Sequence, residues 1–409
     1  MTKYLCNKIF LVLLISAIAK IFSIFFYGDS TVDKEWGIML NNLEQHGILS
    51  VRFVDGIPVP NIFMPPLYPY FLYSIKLFIS DIDLFLNIIL ITQLFLSTLS
   101  VYLTYKILLK LFSQRLSLAG TIFYAFFPLN IYAVSQISSI TLQMFLINIY
   151  LLSYINLFDK INFKNIVIFS VASALLILLR GEFFIFVFLS LIYILVGKKN
   201  NFAKIISISL LILLLISPYL YRNYNISGAL TITKSSGYNL LKGNHPLTVV
   251  EGVGMFGVVG QIVPEVKSEI DELKSKGPIK EHDLIMDQIL MHQAIKFIKE
   301  NPSKYLKLYF KKFASFLFFD INSTYPNYYS LAHIIPKILL SLSTILGIAL
   351  IVNFKMNISN YFALFYLANI GLFSFFFILP RYSLSLLTVQ LVLSLYGVEE
   401  IKERFKLKK

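Results

Sequence analysis

The sequence predicts an all-α polytopic membrane protein with about 10 to 12 transmembrane helices, about ten being the best count. Hydrophobic residues make up 57% of the 409 positions, well above the share found in soluble domains. Apolar runs recur along the chain and are long enough to cross about 30 Å of hydrocarbon. Two polar regions, 28–64 and 221–304, interrupt these runs.

The first apolar run, 9–27, follows Lys3 and Lys8 and has no small-residue cleavage pattern before Gly28. It predicts a retained signal anchor with a cytoplasmic amino terminus, which places the next residues outside. The remaining candidate spans are 84–105, 116–134, 137–158, 165–180, 183–197, 203–220, 337–353, 361–378 and 382–398.

Short basic clusters between the apolar runs orient the chain, because cytoplasmic loops are rich in Lys and Arg. The clusters are Lys106, Lys110 and Arg115; Lys160 and Lys164; and Lys198, Lys199 and Lys204. All three are cytoplasmic only if 84–105 crosses inward, so the proline-rich stretch 65–78 is expected to lie in or dip into the outer leaflet. Twelve crossings, with some basic loops outside, remain the alternative.

Counting back from a cytoplasmic carboxyl terminus places the stretch 301–319 along the outer surface. Its four lysines, Lys304, Lys307, Lys311 and Lys312, suit an interfacial helix better than a span. Both polar regions then face the external side of a bacterial-type cytoplasmic (inner) membrane. The chain divides into an N-terminal transmembrane module (1–220), an external polar region (221–304) and an interfacial helix followed by C-terminal transmembrane helices (305–409).

The charge and cysteine content exclude several classes. The net charge of +14 lies in clusters between apolar runs, which predicts contacts with membrane lipids rather than nucleic acid. The single cysteine, Cys6, excludes an internal disulfide and a cysteine-based metal cage. The five histidines show no metal-ligand spacing, and 281–292 is expected to form a solvated helix. No metal site is predicted.

The first external loop is unusually acidic. Nine acidic residues precede position 221, and five of them lie between Asp29 and Asp55. Trp36, Leu40 and Leu43 recur at helical spacing, so 33–44 predicts an interfacial helix. These acids either cap the helix and solvate the loop, or place one carboxylate in a pocket.

Three arginines fall at predicted external span ends: Arg180, Arg222 and Arg381. A guanidinium group donates two parallel hydrogen bonds, which makes arginine a preferred ligand of phosphate. Ordinary snorkelling to the interface is the alternative, and Arg180 and Glu182 are close enough along the chain to neutralise each other.

Five stretches together resemble the C-type membrane glycosyltransferases that use polyprenyl-phosphate sugars. The order Asp33 to Gly47, followed by "MPPLYPYFL" (64–72), resembles their first external loop. The other four are "LLRGEFFIFVF" (178–188), the stretch from "SPYLYRNYN" to "LLKGNHP" (217–246), "AIKFIKENPSKYLKLYFKK" (294–312) and "LPRYSLSLLTVQLVLSL" (379–395). The superfamily includes protein O-mannosyltransferases, the aminoarabinose transferase acting on lipid A and rhizobial galacturonosyltransferases.

The resemblance implies transfer of a sugar from a polyprenyl-phosphate donor to a lipid, glycan or protein acceptor on the external face. A carboxylate would act as base and the anomeric centre would invert. The second acid of the family motif is displaced here, giving Asp33-Lys34-Glu35, so more than one acid is a candidate for the base. The implied catalytic residues are Asp33, then Glu35, then Asp29; the implied donor-phosphate ligands are Arg180, Arg222 and Arg381; weaker substrate contacts are Lys242, Asn244, His245 and Tyr68.

Neither the residues nor the resemblance indicates a cofactor, although a divalent cation is compatible with the chemistry. A transporter or flippase is the main alternative, but such proteins often show two matching halves, and no internal repeat is visible here. An envelope polysaccharide polymerase or ligase is a third reading, which would place its essential residues in 221–304 rather than in 28–64.

Overall fold

The computed structural model describes residues 2–32, 34–198, 201–251, 264–275, 277, 279–320, 322–323, 330–351 and 356–406. Asp33, the first-ranked catalytic candidate, lies outside the described residues. The described chain is all-α apart from one short antiparallel hairpin, β1 (Phe53–Val54) with β2 (Ile57–Pro58).

The first half of the chain forms ten helices up to the second polar region. They are α1 (Thr2–Tyr27), α2 (Lys34–His46), α3 (Leu67–Lys76), α4 (Ile82–Leu111), α5 (Gln114–Ala125), α6 (Pro128–Ala133), α7 (Ser139–Asp159), α8 (Phe163–Leu179), α9 (Phe183–Gly197) and α10 (Phe202–Ser227). The helices described beyond it are α11 (Ser236–Gly243), α12 (Pro264–Ser275), α13 (His282–Glu300), α14 (Pro302–Leu317), α15 (Leu331–Ile351), α16 (Ile358–Phe375), α17 (Pro380–Leu384) and α18 (Leu387–Lys406).

Within the described ranges, six helices are long and apolar enough to cross a membrane. They are α1, α4, α7, α10, α15 and α16. The helices α8 and α9 are equally apolar but shorter. The predicted all-α integral membrane architecture is therefore confirmed, whereas the count of about ten crossings stays a prediction.

Two predicted spans are interrupted in the structure. The span 116–134 splits into α5 and α6 at Pro128, because proline has no amide hydrogen and its ring clashes with the preceding turn. The last span, 382–398, begins as the five-residue α17 and continues as α18. By contrast, α3 has ten residues, about 15 Å of helix, which is too short to cross the bilayer.

Buried hydrogen bonds tie the membrane helices together, since unpaired polar groups are costly in hydrocarbon. Asn148 of α7 donates to Tyr124 Oη of α5 at 3.2 Å and accepts from Thr388 Oγ1 of α18 at 2.6 Å. Thr388 also lies 3.2 Å from Thr104 Oγ1 of α4. Helix α18, late in the chain, thus meets α4, α5 and α7 at one polar cluster.

The helix α2, in the loop predicted to be the first external one, packs onto the bundle rather than extending into solvent. Met39, Leu40 and Leu43 of α2 are buried in the main apolar cluster, as their helical spacing predicts. The Trp36 ring meets Tyr68 of α3 edge-on, with ring centroids 5.0 Å apart. Gly47 follows the helix with a φ of +66°, a left-handed conformation that glycine adopts without strain.

The stretch 301–319, predicted as an interfacial helix, contains the helix α14, whose lysines divide between two faces. Lys312 is fully buried and its Nζ donates to the Gly243 carbonyl at 2.6 Å; burial lowers its pKa to about 7. Lys312 is therefore not an interfacial lysine, contrary to the sequence prediction. Lys307 and Lys311 are exposed, beside Leu306 and Phe310, which are 53% and 64% exposed.

We expect this outward face of α14 to lie at the lipid headgroups, with Leu306 and Phe310 in contact with acyl chains. A nitroxide label on Phe310→Cys, introduced with Cys6→Ser and measured in nanodiscs, should collide more often with oxygen than with a water-soluble nickel reagent. The same label on Lys267→Cys, on the exposed side of α12, should show the reverse ratio. Equal water access at the two positions would contradict an interfacial α14.

Candidate functional site

A cavity of about 650 Å³ lies at one end of the bundle, where several membrane helices begin or end. Its wall includes the start of α7, the turn between α8 and α9, the carboxyl end of α16 and part of α17. The loop 63–65 and the helices α2 and α11 contribute further lining residues. The cavity thus lies between the two polar regions identified in the sequence.

Five charged residues line this cavity: Glu35, Arg180, Glu182, Lys242 and Arg381. Four of them, all except Glu182, are among the predicted site residues. They come from α2, the α8–α9 turn, α11 and α17. Folding therefore joins positions that are more than two hundred residues apart.

The Arg180 guanidinium group is incompletely hydrogen-bonded by the described residues. It follows the last residue of α8, and its backbone N–H donates to Leu176 O at 2.8 Å. Its guanidinium carbon lies 5.5 Å from the centre of the Tyr382 ring. Its Nε is buried and has no hydrogen-bond partner among the described residues. Because a buried N–H without an acceptor is costly, this donor is suited to an anionic ligand.

Tyr238 and Lys242 project from α11 into the cavity. Burial raises the pKa of the Tyr238 hydroxyl, and the nearby Glu35 carboxylate raises it further, so the phenol stays protonated and can donate. Burial lowers the pKa of Lys242; Glu35 opposes this effect and Arg381 adds to it. The ammonium group of Lys242 lies 4.0 Å from the centre of the Phe377 ring, a cation–π distance.

Uncharged polar side chains line the cavity between the charged groups. Hydroxyl and amide groups of this kind hydrogen-bond to neutral polyols. They belong to Ser138, Ser139, Thr233, Ser235, Ser236 and Asn239. Sequence reasoning did not single out these residues. The stretch 235–242 carried a usable signal, since Ser235, Tyr238, Asn239 and Lys242 recur at helical spacing.

Arg222 does not line the cavity. Its Nη2 donates to Leu49 O at 2.9 Å, and its Nη1 donates to Asn61 O at 3.2 Å and to Asn223 Oδ1 at 2.8 Å. The guanidinium group thus fastens both ends of the segment 49–61 to α10. Its predicted role as a phosphate ligand has no support from this geometry.

Asp29 and Tyr68 also lie outside the cavity lining. The Asp29 carboxylate accepts from Ile137 N at 2.7 Å, and its backbone N–H donates to Ser135 O at 2.9 Å. This fixes the loop that leads to Ser138. Tyr68 is fully buried between Trp36 and Phe71. Both residues shape the surroundings of the cavity rather than its surface.

The pair Asn244 and His245 is buried next to Lys312 instead of facing the cavity. Asn244 donates to Phe375 O at 2.7 Å and its Oδ1 lies 3.3 Å from Lys312 Nζ. Burial, together with the charges of Lys304 and Lys312, lowers the pKa of His245 to about 4. The imidazole is therefore neutral near pH 7, and its Nδ1 accepts from Leu247 N at 3.1 Å.

Within the ranges that the structure describes, no group of three or more His, Cys, Asp or Glu side chains is arranged to hold a metal ion. The cavity instead combines two carboxylates, two guanidinium groups, one ammonium group and neutral hydrogen-bonding groups. Such a set can bind a phosphate ester and a polyol side by side, with a carboxylate close to both.

The fold is similar to that of solved oligosaccharyltransferase structures from Archaeoglobus fulgidus. One, the archaeal oligosaccharyltransferase AglB in complex with an inhibitory peptide and a dolichol-phosphate, gives a TM-score of 0.51 at 13% identity, over 98% of this chain and 51% of that one. Another, tethered with an acceptor peptide containing the NVT sequon, gives a TM-score of 0.50 at 12% identity. That match covers 98% of this chain and 50% of the other.

The chain thus spans about half the length of these structures. No protein-family model matches the chain, and no curated protein is similar to it by sequence. At 12–13% identity the likeness concerns the fold alone.

Proposed function

We propose that the chain is a glycosyltransferase that moves a sugar from a polyprenyl-phosphate donor to an acceptor on the external face of the membrane. Three findings support this: the all-α membrane fold, the cavity at one end of its bundle, and the fold likeness to oligosaccharyltransferases. One of those neighbours was solved with a dolichol-phosphate and the other with an acceptor peptide, and the same two classes of ligand suit the cavity described above.

The observation that carries the proposal is the unpartnered donor of Arg180. Its buried Nε has no acceptor among the described residues, and Arg381 lines the same cavity. A phosphate held between these two guanidinium groups would satisfy the orphaned N–H. It would also place the developing negative charge of the leaving phosphate against fixed positive charge, which lowers the barrier to departure.

The reaction requires a base on the acceptor side. Glu35 lines the cavity and Asp33 lies two residues before it in the sequence, so one carboxylate of this pair takes the proton from the acceptor hydroxyl. The acceptor oxygen then attacks the anomeric carbon. The bond from that carbon to the phosphate oxygen breaks, its electron pair stays on the phosphate, and the anomeric configuration inverts.

The remaining wall suits the rest of the donor. Seryl and threonyl hydroxyls and Asn239 face the region where a sugar would lie beside the phosphate. Apolar residues at helix ends, among them Ile185, Leu372 and Phe373, line the cavity as well. These surfaces can accept the first isoprene units, while the rest of the polyprenyl chain stays in the bilayer.

The proposal is tested by comparing cells with and without the protein. Mass spectrometry of envelope glycolipids and glycoproteins should show one acceptor that lacks a sugar when the protein is absent, and restoration by the wild-type chain. An Arg180→Gln chain expressed at the same level should fail to restore the sugar. If no sugar-bearing species changes, the transferase proposal fails and a transporter becomes the better reading.

A further inference from the structure

The helix α11 forms one wall of the cavity, and its opposite face packs on α13. Tyr238 and Lys242 point into the cavity, whereas Leu241 packs with Leu290 and Ala294 of α13 in a small apolar cluster. The position of α11 relative to α13 therefore decides where the two cavity side chains lie.

The amino terminus of α11 is capped from α13 rather than by its own sequence. Ser235, the N-cap residue, makes no side-chain cap hydrogen bond. Instead Asp287 Oδ1 accepts from Gly237 N at 2.6 Å, and Asp287 Oδ2 accepts from Ser236 Oγ at 3.1 Å. Lys234 Nζ lies 3.4 Å from the same Oδ2. Asp287 is only 3% exposed, so water does not compete for these contacts.

One turn earlier on the same face of α13, Asp283 binds the loop that leads to the cavity-lining segment 63–65. Its Oδ2 accepts from Ile62 N at 2.7 Å, and the side chain is only 13% exposed. The Ile62 carbonyl accepts from Lys234 N at 2.8 Å. Ile62 directly precedes the cavity-lining segment 63–65. The two carboxylates therefore join the first loop, α11 and α13 in one closed set of hydrogen bonds.

The packing leaves α11 little room to move. A Cβ atom added at Gly237 would lie 2.1 Å from Asp287 O and 2.8 Å from Met291 N, so the two helices meet backbone to backbone. Phe63 of the segment 63–65 meets Tyr238 of α11 edge-on, with ring centroids 5.1 Å apart. The prediction of a solvated helix over 281–292 is thus wrong for this face, where Asp287 caps α11 and Asp283 binds the first loop.

We propose that Asp283 and Asp287 are positioning residues that fix the separation of the 63–65 loop and α11, and with it the placement of Tyr238 and Lys242 around the substrate. This inference rests on the proposed function. Reacting groups displaced by about 1 Å can lose about 10²-fold in rate. Loss of either carboxylate therefore acts on turnover through the geometry of the cavity rather than through direct contact with substrate.

The test uses the full-length chain in nanodiscs with three variants: Asp287→Asn, Asp287→Glu and Glu300→Gln. The last removes an exposed carboxylate from the same helix and is the matched control. Hydrogen exchange of the amides of α11 should accelerate in Asp287→Asn and remain at the wild-type rate in Glu300→Gln. Asparagine keeps only one acceptor oxygen and no charge, whereas Asp287→Glu keeps both carboxylate oxygens and should recover slow exchange in part.

In the transfer assay, Asp287→Asn should lower kcat by about 10²-fold and leave the donor KM within a few-fold, because the phosphate ligands Arg180 and Arg381 are untouched. The thermal unfolding midpoint, measured in parallel, should stay close to that of Glu300→Gln. Unchanged α11 exchange in Asp287→Asn overturns the proposal whatever the activity does, and so does a kcat equal to that of the control.

The positioning role and the proposed function can fail separately. The informative case is a wild-type chain that transfers no sugar, combined with faster hydrogen exchange of α11 in Asp287→Asn. The proposed function would then fail, whereas the hydrogen-bonded link between α13 and α11 would stand. Gly237→Ala provides an independent variant, because it displaces α11 without removing a charge. It should lower kcat in the same way, and normal turnover in this variant would also overturn the positioning role.

Discussion

An Asp33→Asn variant should lose sugar transfer by about 10²–10⁴-fold, the usual contribution of a general base, while it still binds the donor. An amide of the same shape cannot accept the proton of the acceptor hydroxyl. Donor binding should survive, because in the proposed complex Arg180 and Arg381 hold the phosphate. Single-turnover transfer from a radiolabelled polyprenyl-phosphate sugar measures the rate, and equilibrium binding of the same donor measures the affinity.

Glu35→Gln is the companion variant, since Glu35 lines the cavity and raises the pKa of the Tyr238 hydroxyl. We expect a smaller loss than in Asp33→Asn. Glu44→Gln is the matched control because Glu44 is exposed on the same helix, α2. A larger loss of turnover in Glu35→Gln than in Asp33→Asn would assign the role of base to Glu35. Normal turnover in both variants would contradict a carboxylate base in the first external loop.

Replacing Arg180 with glutamine should weaken donor binding and lower kcat by about 10²–10³-fold, the typical cost of removing one preorganised donor to a developing oxyanion. Both quantities should fall, because the proposed contact between the guanidinium group and the phosphate exists before and during the departure of the phosphate. Arg180→Lys should recover part of the affinity through its charge, but little of the rate, since lysine lacks the planar fork of donors.

Arg115→Gln is the matched control, because it removes an exposed cation from the second position of α5. It should change neither the donor affinity nor kcat. If both side chains bind the same phosphate, Arg381→Gln should lower the donor affinity and kcat about as much as Arg180→Gln does. Donor affinity in Arg180→Gln equal to that in Arg115→Gln would show that the phosphate is bound elsewhere, and the cavity assignment would have to be abandoned.

Several members of the candidate site could be found from the sequence because each carries a local signal. Glu35 lies in an acidic loop next to an apolar chain, and Arg180 and Arg381 interrupt or border long apolar runs. A charge at such a position is energetically costly, so it is usually paired with an opposite charge or serves a function. The same reasoning selected Arg222, whose guanidinium group instead holds the carbonyls of Leu49 and Asn61. A backbone acceptor leaves no trace in the sequence.

Asp283 and Asp287 show the opposite case. In the sequence they are ordinary acids on a polar helix, and nothing near them marks a partner. Their partners, Ile62 and Gly237, lie 221 and 50 residues away. Only the docking of α13 against α11 and the first loop makes these carboxylates structural, because a hydrogen bond depends on distance in space and not on distance along the chain.

The sequence by itself determined that the chain is helical, that it enters the membrane and where its two polar regions lie. These properties follow from composition and from the length of apolar runs, which are local quantities. The tertiary structure decided which charged side chains share a cavity, where proline divides a predicted span, and which lysine of α14 is buried. Those outcomes depend on the packing of distant helices, because the contacts of each side chain come from residues that only the folded bundle brings close together.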